Sequence, residues 1–233
     1  MFDPKVIVAL DYNSADEALS FVSKVSPDIC RLKVGNELFT TAGPQLVGKL
    51  CEKGFKVFLD LKFHDIPNTV SKACEAAAKL GVWLVNVHAL GGAVMMSKAA
   101  QTLAKYQNRP KLIAVTVLTS MDREQLYSIG LDVEPAEQVK RLAKLACDCG
   151  LDGVVSSARE VAMIKALCGK DFWCVTPGIR PADSALGDQK RVMTPAQAIL
   201  EGSDYLVIGR PITQSADPVA ALNKINDEIS RLV

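Results

Sequence analysis

The stretch Lys56-Val57-Phe58-Leu59-Asp60-Leu61 is an apolar run of strand length that contains a single acidic residue. Strands that are apolar along most of their length, rather than alternating with polar residues, are typical of parallel sheets covered by helices. Seven other runs of this kind lie along the chain. The eight predicted strands are Lys5–Leu10, Ile29–Val34, Lys56–Leu61, Val82–His88, Lys111–Leu118, Leu151–Ser156, Phe172–Thr176 and Asp204–Ile208.

The segments between these runs carry the signals that start helices. Capping boxes are present in Ser14-x-x-Glu17 and Ser157-x-x-Glu160, and a proline follows the predicted cap in Thr194-Pro195-x-Gln197 and in Asp217-Pro218. In the stretch Pro135–Gly150, apolar residues recur at helical spacing and a glycine closes the segment. Strand and helix are therefore predicted to alternate along the whole chain.

Eight alternating strand and helix units predict an α/β fold, a closed (β/α)8 TIM barrel, in which residues 1–233 form a single domain. An open, doubly wound sheet is disfavoured because the first strand is followed by Leu10-Asp11-Tyr12-Asn13-Ser14, which lacks the glycine fingerprint of dinucleotide-binding folds. No linker or low-complexity tract marks a domain boundary in the sequence.

The composition is that of a globular protein with a sizeable core, with 49% hydrophobic and 23% charged residues. The formal net charge is +1 without a basic block, which argues against nucleic-acid and polybasic membrane partners. The sequence has no signal-peptide pattern and no apolar run of membrane-spanning length. Seven cysteines, an odd number in mostly apolar contexts, favour free thiols and a cytoplasmic location.

Charged residues interrupt several of the predicted strands. In a (β/α)8 barrel the active site lies at the C-terminal ends of the strands. Asp60 and Lys62 are two apart and so point to one side of a strand, Lys33 lies on the preceding strand, and Asp11 ends the first. Charges within apolar strands must be paired or used. We therefore predict that these four side chains converge at a functional site.

The loops after the seventh and eighth strands each contain one glycine and one arginine, in Pro177-Gly178-Ile179-Arg180 and in Ile208-Gly209-Arg210-Pro211. Barrel enzymes often bind phosphate in these loops. Glycine permits close approach of the backbone, and arginine can grip phosphate oxygens in a fork. The alternative interpretation of either loop alone is a helix-capping turn with a solvent-facing arginine.

His64 and His88 are the only histidines, which excludes a metal site built from several histidines. A magnesium ion held by carboxylates remains open. His88, at the end of the fourth predicted strand, could orient a substrate or be a hydrogen-bonded structural residue. For His64 a structural role is expected.

The stretch Asp60-Leu61-Lys62-Phe63-His64-Asp65-Ile66-Pro67-Asn68-Thr69 closely resembles the signature of the orotidine 5′-phosphate decarboxylase family. Further similar stretches follow the family's order over essentially the whole chain. They are Ala9-Leu10-Asp11, Leu32-Lys33-Val34-Gly35, Thr176-Pro177-Gly178-Ile179-Arg180, Gly187-Asp188-Gln189-Lys190-Arg191 and Ile208-Gly209-Arg210-Pro211-Ile212-Thr213. The chain length and short loops resemble the bacterial single-function form.

The resemblance implies a carboxy-lyase that converts orotidine 5′-monophosphate into uridine 5′-monophosphate (UMP) and CO2, the last step of de novo pyrimidine biosynthesis, without a cofactor or metal. It implies that Lys62 donates the proton and that Asp60 lies beside the substrate carboxylate. Lys33 and Asp11 would hold the ribose hydroxyls and order the charged network. The chemistry agrees, because loss of CO2 leaves a carbanion that an adjacent ammonium can stabilise and protonate.

The remaining implied roles concern the rest of the substrate and a second subunit. Asp65 and Thr69 would reach into the site of the partner, so that a homodimer with shared active sites is required for activity. The expected contacts to the pyrimidine, ribose or phosphate come from Thr119, Arg180 in a closing loop, Gln189, the Gly209 backbone and Arg210.

Three alternatives remain open from the sequence. Magnesium-dependent sugar-phosphate enzymes of the same superfamily, such as 3-keto-gulonate phosphate decarboxylase and hexulose phosphate synthase, share the spacing Asp-x-Lys-x-x-Asp, although the stretches 64–69 and 187–189 argue against them. An aldolase that forms a Schiff base would use one of two neighbouring lysines, Lys33 and Lys62. A non-catalytic phosphate-binding barrel would use only the arginine loops and leaves the four strand charges unexplained.

Overall fold

A closed barrel of eight parallel strands forms the centre of the computed structural model, which describes residues 3–181 and 193–232. Each strand pairs with the next along the chain, and the last pairs with the first. The predicted TIM barrel is confirmed. The strands are β1 Val6–Ala9, β2 Arg31–Gly35, β3 Val57–Phe63, β4 Leu84–His88, β5 Lys111–Val115, β6 Gly153–Val155, β7 Trp173–Thr176 and β8 Tyr205–Ile208.

Every predicted strand overlaps an observed one, and the differences lie at the ends. The predicted fifth strand runs to Leu118, whereas β5 ends at Val115. Val117 is nevertheless buried, at 4% exposure, so the apolar run reports burial rather than strand pairing. In the opposite sense, β3 extends past the predicted Leu61 to Phe63.

Ten α-helices occur within the described residues, and most of them cover the outside of the barrel. Short extra helices, α5 after β5 and α9 after β8, lie at the C-terminal ends of their strands. The helices are α1 Ala15–Val22, α2 Asn36–Glu52, α3 Pro67–Lys79, α4 Gly92–Leu103, α5 Arg123–Ser128, α6 Pro135–Asp148, α7 Val161–Cys168, α8 Pro195–Leu200, α9 Arg210–Thr213 and α10 Pro218–Ser230.

The predicted helix starts are present as hydrogen bonds. Ser14 Oγ accepts from the Glu17 amide at 3.3 Å, and Asp217 Oδ1 accepts from the Ala220 amide at 3.0 Å. Complete capping boxes, with both reciprocal bonds, are formed by Ser157 with Glu160 and by Thr194 with Gln197. The box at Ser157 opens a short 3₁₀ turn that leads into α7. Side-chain caps of this kind satisfy amides that have no partner within the helix.

Two apolar layers hold the barrel together. The outer layer lies between the strands and the helices, and the inner layer fills the barrel interior. Towards the C-terminal ends of the strands the inner layer leaves room for a cavity, and some of its members form the cavity floor. The buried members of this inner layer are Ile7, Ala9, Phe58, Leu84, Ile113, Val175, Tyr205 and Val207.

Arg31 closes the opposite, N-terminal end of the barrel. Its side chain is 1% exposed, and its guanidinium carbon lies 4.0 Å from the ring centre of Trp83 and 4.5 Å from that of Tyr205. Nε donates to the carbonyl of Pro4 at 2.9 Å, and the guanidinium pairs with Asp3. The charge in this apolar strand is therefore paired, as predicted, and its role is structural.

We expect Arg31→Ala to lower the free energy of unfolding by about 3 kcal/mol, because it removes a buried stem, two cation–π contacts and an ion pair. Urea unfolding monitored by circular dichroism measures this loss. The control is Arg141→Ala on α6, which removes an exposed arginine paired with Glu137 and should change stability by less than about 0.5 kcal/mol. Equal stabilities for the two variants would contradict this role of Arg31.

The described residues contain no helix long and apolar enough to cross a membrane. All seven cysteines are free thiols, as predicted. Burial raises the pKa of Cys30, Cys74 and Cys174 to about 12. These three thiols are therefore protonated and unreactive at neutral pH.

Candidate active site

A cavity of about 420 Å³ opens at the C-terminal ends of the strands. Its apolar floor comes from the inner layer of the barrel, and charged or polar side chains form its walls. Most of the predicted site residues meet here. Those that line the cavity are Asp11, Lys33, Asp60, Lys62, Thr119, Arg180, Gly209 and Arg210.

Four of these side chains form a row of alternating charge across β1, β2 and β3. Lys33 Nζ lies 3.3 Å from Asp11 Oδ1 and 3.5 Å from Asp60 Oδ2, and Lys62 Nζ donates to Asp60 Oδ1 at 2.7 Å. Lys33 and Asp60 are largely buried, with side-chain exposures of 10% and 12%. The predicted convergence of four charges is confirmed. Two ammonium groups thus share the carboxylate of Asp60.

Glycines next to this row leave space for it. An added Cβ at Gly35 would lie 2.9 Å from Lys33 Nζ, a distance that would force the amine to move. An added Cβ at Gly209 would lie 3.4 Å from Asp11 Oδ2. In the stretch Leu32-Lys33-Val34-Gly35, the glycine therefore leaves the space that the Lys33 ammonium group occupies.

The backbone at Lys62 departs from the extended strand that the sequence predicts. Lys62 has a φ of +52°, the only positive value outside glycine among the described residues. The pairing of β3 with β4 shifts register between Leu59 and Phe63, at the same place. The Lys62 amide donates to Asn86 Oδ1 at 2.8 Å, and Asn86 Nδ2 donates to Asp60 Oδ1 at 2.7 Å.

The two arginine loops border the same cavity from β7 and β8. Arg180 is only 8% exposed, and its Nη1 donates to the carbonyl of Ile179 at 2.9 Å. Gly178 has a φ of +76°, which glycine adopts without strain. Arg210 is exposed, and it lines the cavity from the first turn of α9. Both arginines line one cavity, as a phosphate site requires, and Gly209 is also the N-cap of α9.

Two predicted site residues lie outside this cavity. Asp65 and Thr69, just before and within α3, are exposed and do not line the cavity of their own chain. Asp65 Oδ1 accepts from the Ile66 amide at 2.6 Å. Gln189 lies outside the described residues.

His64 and His88 stack on each other, with ring centres 5.4 Å apart and planes at 19°. His88 Nδ1 accepts from the Leu90 amide at 3.4 Å, and neither ring lines the cavity. Burial lowers the pKa of His88, and the adjacent His64 and Lys62 lower it further. Of the two roles considered for His88, this placement favours the structural one.

Two polar residues at the site are not predicted from the sequence, Asn86 and Gln214. Ser156 and Gln214 line the cavity, and Ser156 Oγ is buried without a hydrogen-bond partner among the described residues. Asn86 is fully buried in an apolar strand, and a buried amide requires partners. The need of a buried amide for hydrogen-bond partners is the feature by which Asn86 could have been recognised in the sequence. Within residues 3–181 and 193–232, no three His, Cys, Asp or Glu side chains are grouped so as to hold a metal ion.

Comparison with known proteins agrees with this geometry. The family model described as "Orotidine 5'-phosphate decarboxylase / HUMPS family" matches residues 4–225. The chain is 62% identical over 227 residues, 97% of each protein, to orotidine 5'-phosphate decarboxylase of Aliivibrio fischeri (strain MJ11), and 60% identical over the full length of both to that of Vibrio campbellii.

The same likeness holds in three dimensions. The crystal structure of orotidine 5'-phosphate decarboxylase from Lactobacillus acidophilus superposes with a TM-score of 0.87 at 43% identity, covering 97% of this chain and 99% of the other. An uncharacterized conserved protein from Geobacillus kaustophilus gives a TM-score of 0.85 at 42% identity and covers 96% of this chain. The barrel, the charged row and the sequence matches together show that this chain belongs to the orotidine 5′-phosphate decarboxylase / HUMPS family.

Proposed function

We propose that this chain decarboxylates orotidine 5′-monophosphate to UMP and CO2, the last step of de novo pyrimidine biosynthesis. The observation that carries the proposal is the alternating row Asp11, Lys33, Asp60 and Lys62 in the same cavity as the two arginine loops. Relatives at 60–62% identity over nearly the whole chain carry the name of this activity.

The barrel geometry suits a substrate with an anionic group at each end. In a closed barrel of eight sequential strands, β3 and β7 lie on opposite sides of the mouth. Lys62 stands on β3, whereas Arg180 and Arg210 follow β7 and β8. A nucleotide can therefore span the mouth, with its phosphate against the guanidinium groups and its pyrimidine carboxylate near the charged row. A volume of about 420 Å³ is within the range of small-molecule sites.

The charged row supplies what the reaction needs. When the bond between C6 and the carboxyl carbon breaks, CO2 leaves and the electron pair stays on C6. In our proposal the Lys62 ammonium stabilises this pair and then transfers its proton to C6. Asp60, held between Lys33 and Lys62, would repel the substrate carboxylate and be relieved as that charge departs. Asp11 and Lys33 would also hold the ribose hydroxyls.

We infer that the active enzyme is a homodimer in which Asp65 and Thr69 complete the site of the partner. Both are exposed and outside the cavity of their own chain. Ile66, which follows Asp65 directly, is an exposed large apolar side chain at 67% exposure, and Val94 on α4 is 74% exposed. α3 and α4 pack on each other, and exposed apolar side chains at such a place are what an interface with a second subunit would cover.

Other parts of the proposal rest on chemistry or on the resemblance. Thr119 would contact the pyrimidine or ribose, and Gln189 would bridge base and phosphate. No cofactor is required, because the lysine supplies both the charge and the proton. Seven free thiols are in keeping with a cytoplasmic enzyme, and the net charge of +1 favours neither nucleic acid nor membrane as a partner.

The ultraviolet absorbance of orotidine 5′-monophosphate, followed with purified protein in excess chelator, tests the function. We expect loss of the orotate chromophore with formation of one UMP per substrate consumed. Heat-denatured protein is the control. An unchanged spectrum with folded protein would contradict the proposal and direct attention to sugar phosphates with magnesium.

The charged row also bears on the alternatives. A magnesium-dependent sugar-phosphate enzyme needs carboxylates free to bind a cation. Here the Asp60 carboxylate already has two ammonium groups, at 2.7 and 3.5 Å, which oppose the binding of a further cation. A Schiff-base aldolase would instead be trapped covalently on its substrate by borohydride. The proposed mechanism forms no imine, so we expect no trapping with this protein.

We expect Arg210→Ala mainly to weaken binding, because it removes a charged group from the proposed phosphate end and leaves the row around Lys62 intact. The loss of a charge-assisted hydrogen bond predicts a KM for orotidine 5′-monophosphate and a Kd for UMP raised about 10- to 100-fold. Steady-state kinetics and calorimetry measure both constants. Arg141→Ala, remote on α6, should leave them unchanged, and wild-type constants in Arg210→Ala would remove this residue from the phosphate site.

A further inference from the structure

Asn86 joins the two catalytic side chains of β3 from behind the cavity wall. It lies in β4, is 0% exposed and does not line the cavity. One side of its amide donates to the Asp60 carboxylate at 2.7 Å, and the other accepts from the Lys62 backbone amide at 2.8 Å. Asn86 is therefore placed to act through Asp60 and Lys62 rather than on the substrate itself.

The two partners determine which way the Asn86 amide faces. The Lys62 N–H is a donor and requires the oxygen, while an ionised Asp60 carboxylate only accepts and requires the NH2 group. Aspartate in the same place would keep the acceptor but, when ionised, would lose the donor. An apolar residue would lose both bonds. Only a side chain with one donor and one acceptor, at this length, satisfies both partners.

The hydrogen bond from the Lys62 amide to Asn86 is made at a residue with a strained backbone conformation. With a φ of +52°, Lys62 occupies a left-handed conformation that residues with a Cβ disfavour. Such conformations persist where surrounding contacts fix them, and they cluster at active sites. The register shift between Leu59 and Phe63 frees the Lys62 amide from the β-ladder, and Asn86 accepts that amide instead.

The bond to Asp60 complements the first. Asp60 Oδ1 accepts from both Asn86 Nδ2 and Lys62 Nζ, each at 2.7 Å. Fixing the carboxylate therefore also fixes the direction in which the Lys62 amine points. Asn86 thus constrains the ion pair at two places, the backbone of one member and the carboxylate of the other.

We propose that Asn86 is a positioning residue for decarboxylation, which aligns the Lys62 ammonium and the Asp60 carboxylate with the reacting carbon. The inference rests on the proposed function, since it assigns Asn86 a part in that reaction. A misplacement of the ammonium by about 1 Å is expected to reduce kcat about 100-fold. Substrate and product binding, which depend on other groups, should change little.

The test variant is Asn86→Asp, which preserves the shape of the side chain. Near pH 8 the new carboxylate would face Asp60 without a proton between them, and their repulsion would disorder the pair. At lower pH the two carboxylates would share one proton and restore a hydrogen bond to Asp60. The charged and titratable groups around this pair are Asp11, Lys33, Lys62, His64 and His88.

Because the wild type has its own pH dependence, the quantity to compare is the ratio of kcat for Asn86→Asp to kcat for wild type. We expect a ratio of about 0.01 near pH 8 that rises at least about fivefold by pH 5.5. The control is Asn226→Asp on α10, a buried asparagine that donates to the Ile29 carbonyl at 2.9 Å, far from the cavity. Its ratio should not vary with pH.

A second variant, Asn86→Ser, covers the case in which Asn86→Asp does not fold. Its hydroxyl is too short to serve both partners, so kcat should fall at every pH while the Kd for UMP stays within about threefold of wild type. Wild-type kcat in Asn86→Ser, or a pH-independent ratio in folded Asn86→Asp, would overturn the proposal. Failure of the wild type to decarboxylate the substrate would overturn the proposed function instead, so the two failures are distinct.

Discussion

Replacing Lys62 by alanine is expected to lower kcat for orotidine 5′-monophosphate by at least about 10⁴-fold, while UMP binding remains measurable. The variant removes both the cation that stabilises the developing carbanion and the proton that C6 must receive. Alanine keeps the Cβ, so the left-handed backbone at position 62 carries the same steric cost as before. We therefore expect the variant to lose catalytic activity and to keep its folded structure.

The activity of Lys62→Ala is best measured by single-turnover absorbance with enzyme in excess, and UMP binding by calorimetry. The matched control is Lys144→Ala on α6, which removes an exposed lysine paired with Asp148 and should behave as wild type. Retention of kcat within about tenfold of wild type would exclude Lys62 as the proton donor. Borohydride treatment of the wild type with substrate separates this role from that of a Schiff-base lysine.

Much of the fold and of the charged row follows from local sequence. The strands are predictable because a parallel sheet buries both of its faces, so each strand appears as a short apolar run. Charges within such runs are conspicuous, as in the strand that carries Arg31 and Lys33. Both are paired as expected, Arg31 with Asp3 at one end of the barrel and Lys33 with Asp11 and Asp60 at the other.

What the sequence does not predict depends on contacts between strands. The stretch Leu61-Lys62-Phe63 alternates like an ordinary strand, and nothing local signals the left-handed conformation of Lys62. That conformation is linked to the register shift of β3 on β4 and to the amide of Asn86, which is 24 positions away along the chain. Gln214, beyond the eighth strand, lines the cavity because the closed barrel brings that segment to the mouth.

The proposed sharing of active sites between subunits predicts that two inactive variants restore activity when they are mixed. Asp65→Ala and Lys62→Ala should each be nearly inactive as homodimers. Lys62 lines the cavity of its own chain, whereas Asp65, only three positions further, does not. If Asp65 serves the partner, a heterodimer of the two variants contains one intact site and one site that lacks both residues. Mixing the variants is therefore expected to restore activity.

The size of the recovery follows from counting. Random exchange of subunits gives about one half heterodimers, each with one intact site of two, so we expect about one quarter of wild-type activity. The matched control mixes Lys62→Ala with Lys33→Ala. Both of these residues line the cavity of the same chain, so no heterodimer of theirs has an intact site and activity should stay absent. If Asp65 acted within its own chain, its mixture would behave like this control.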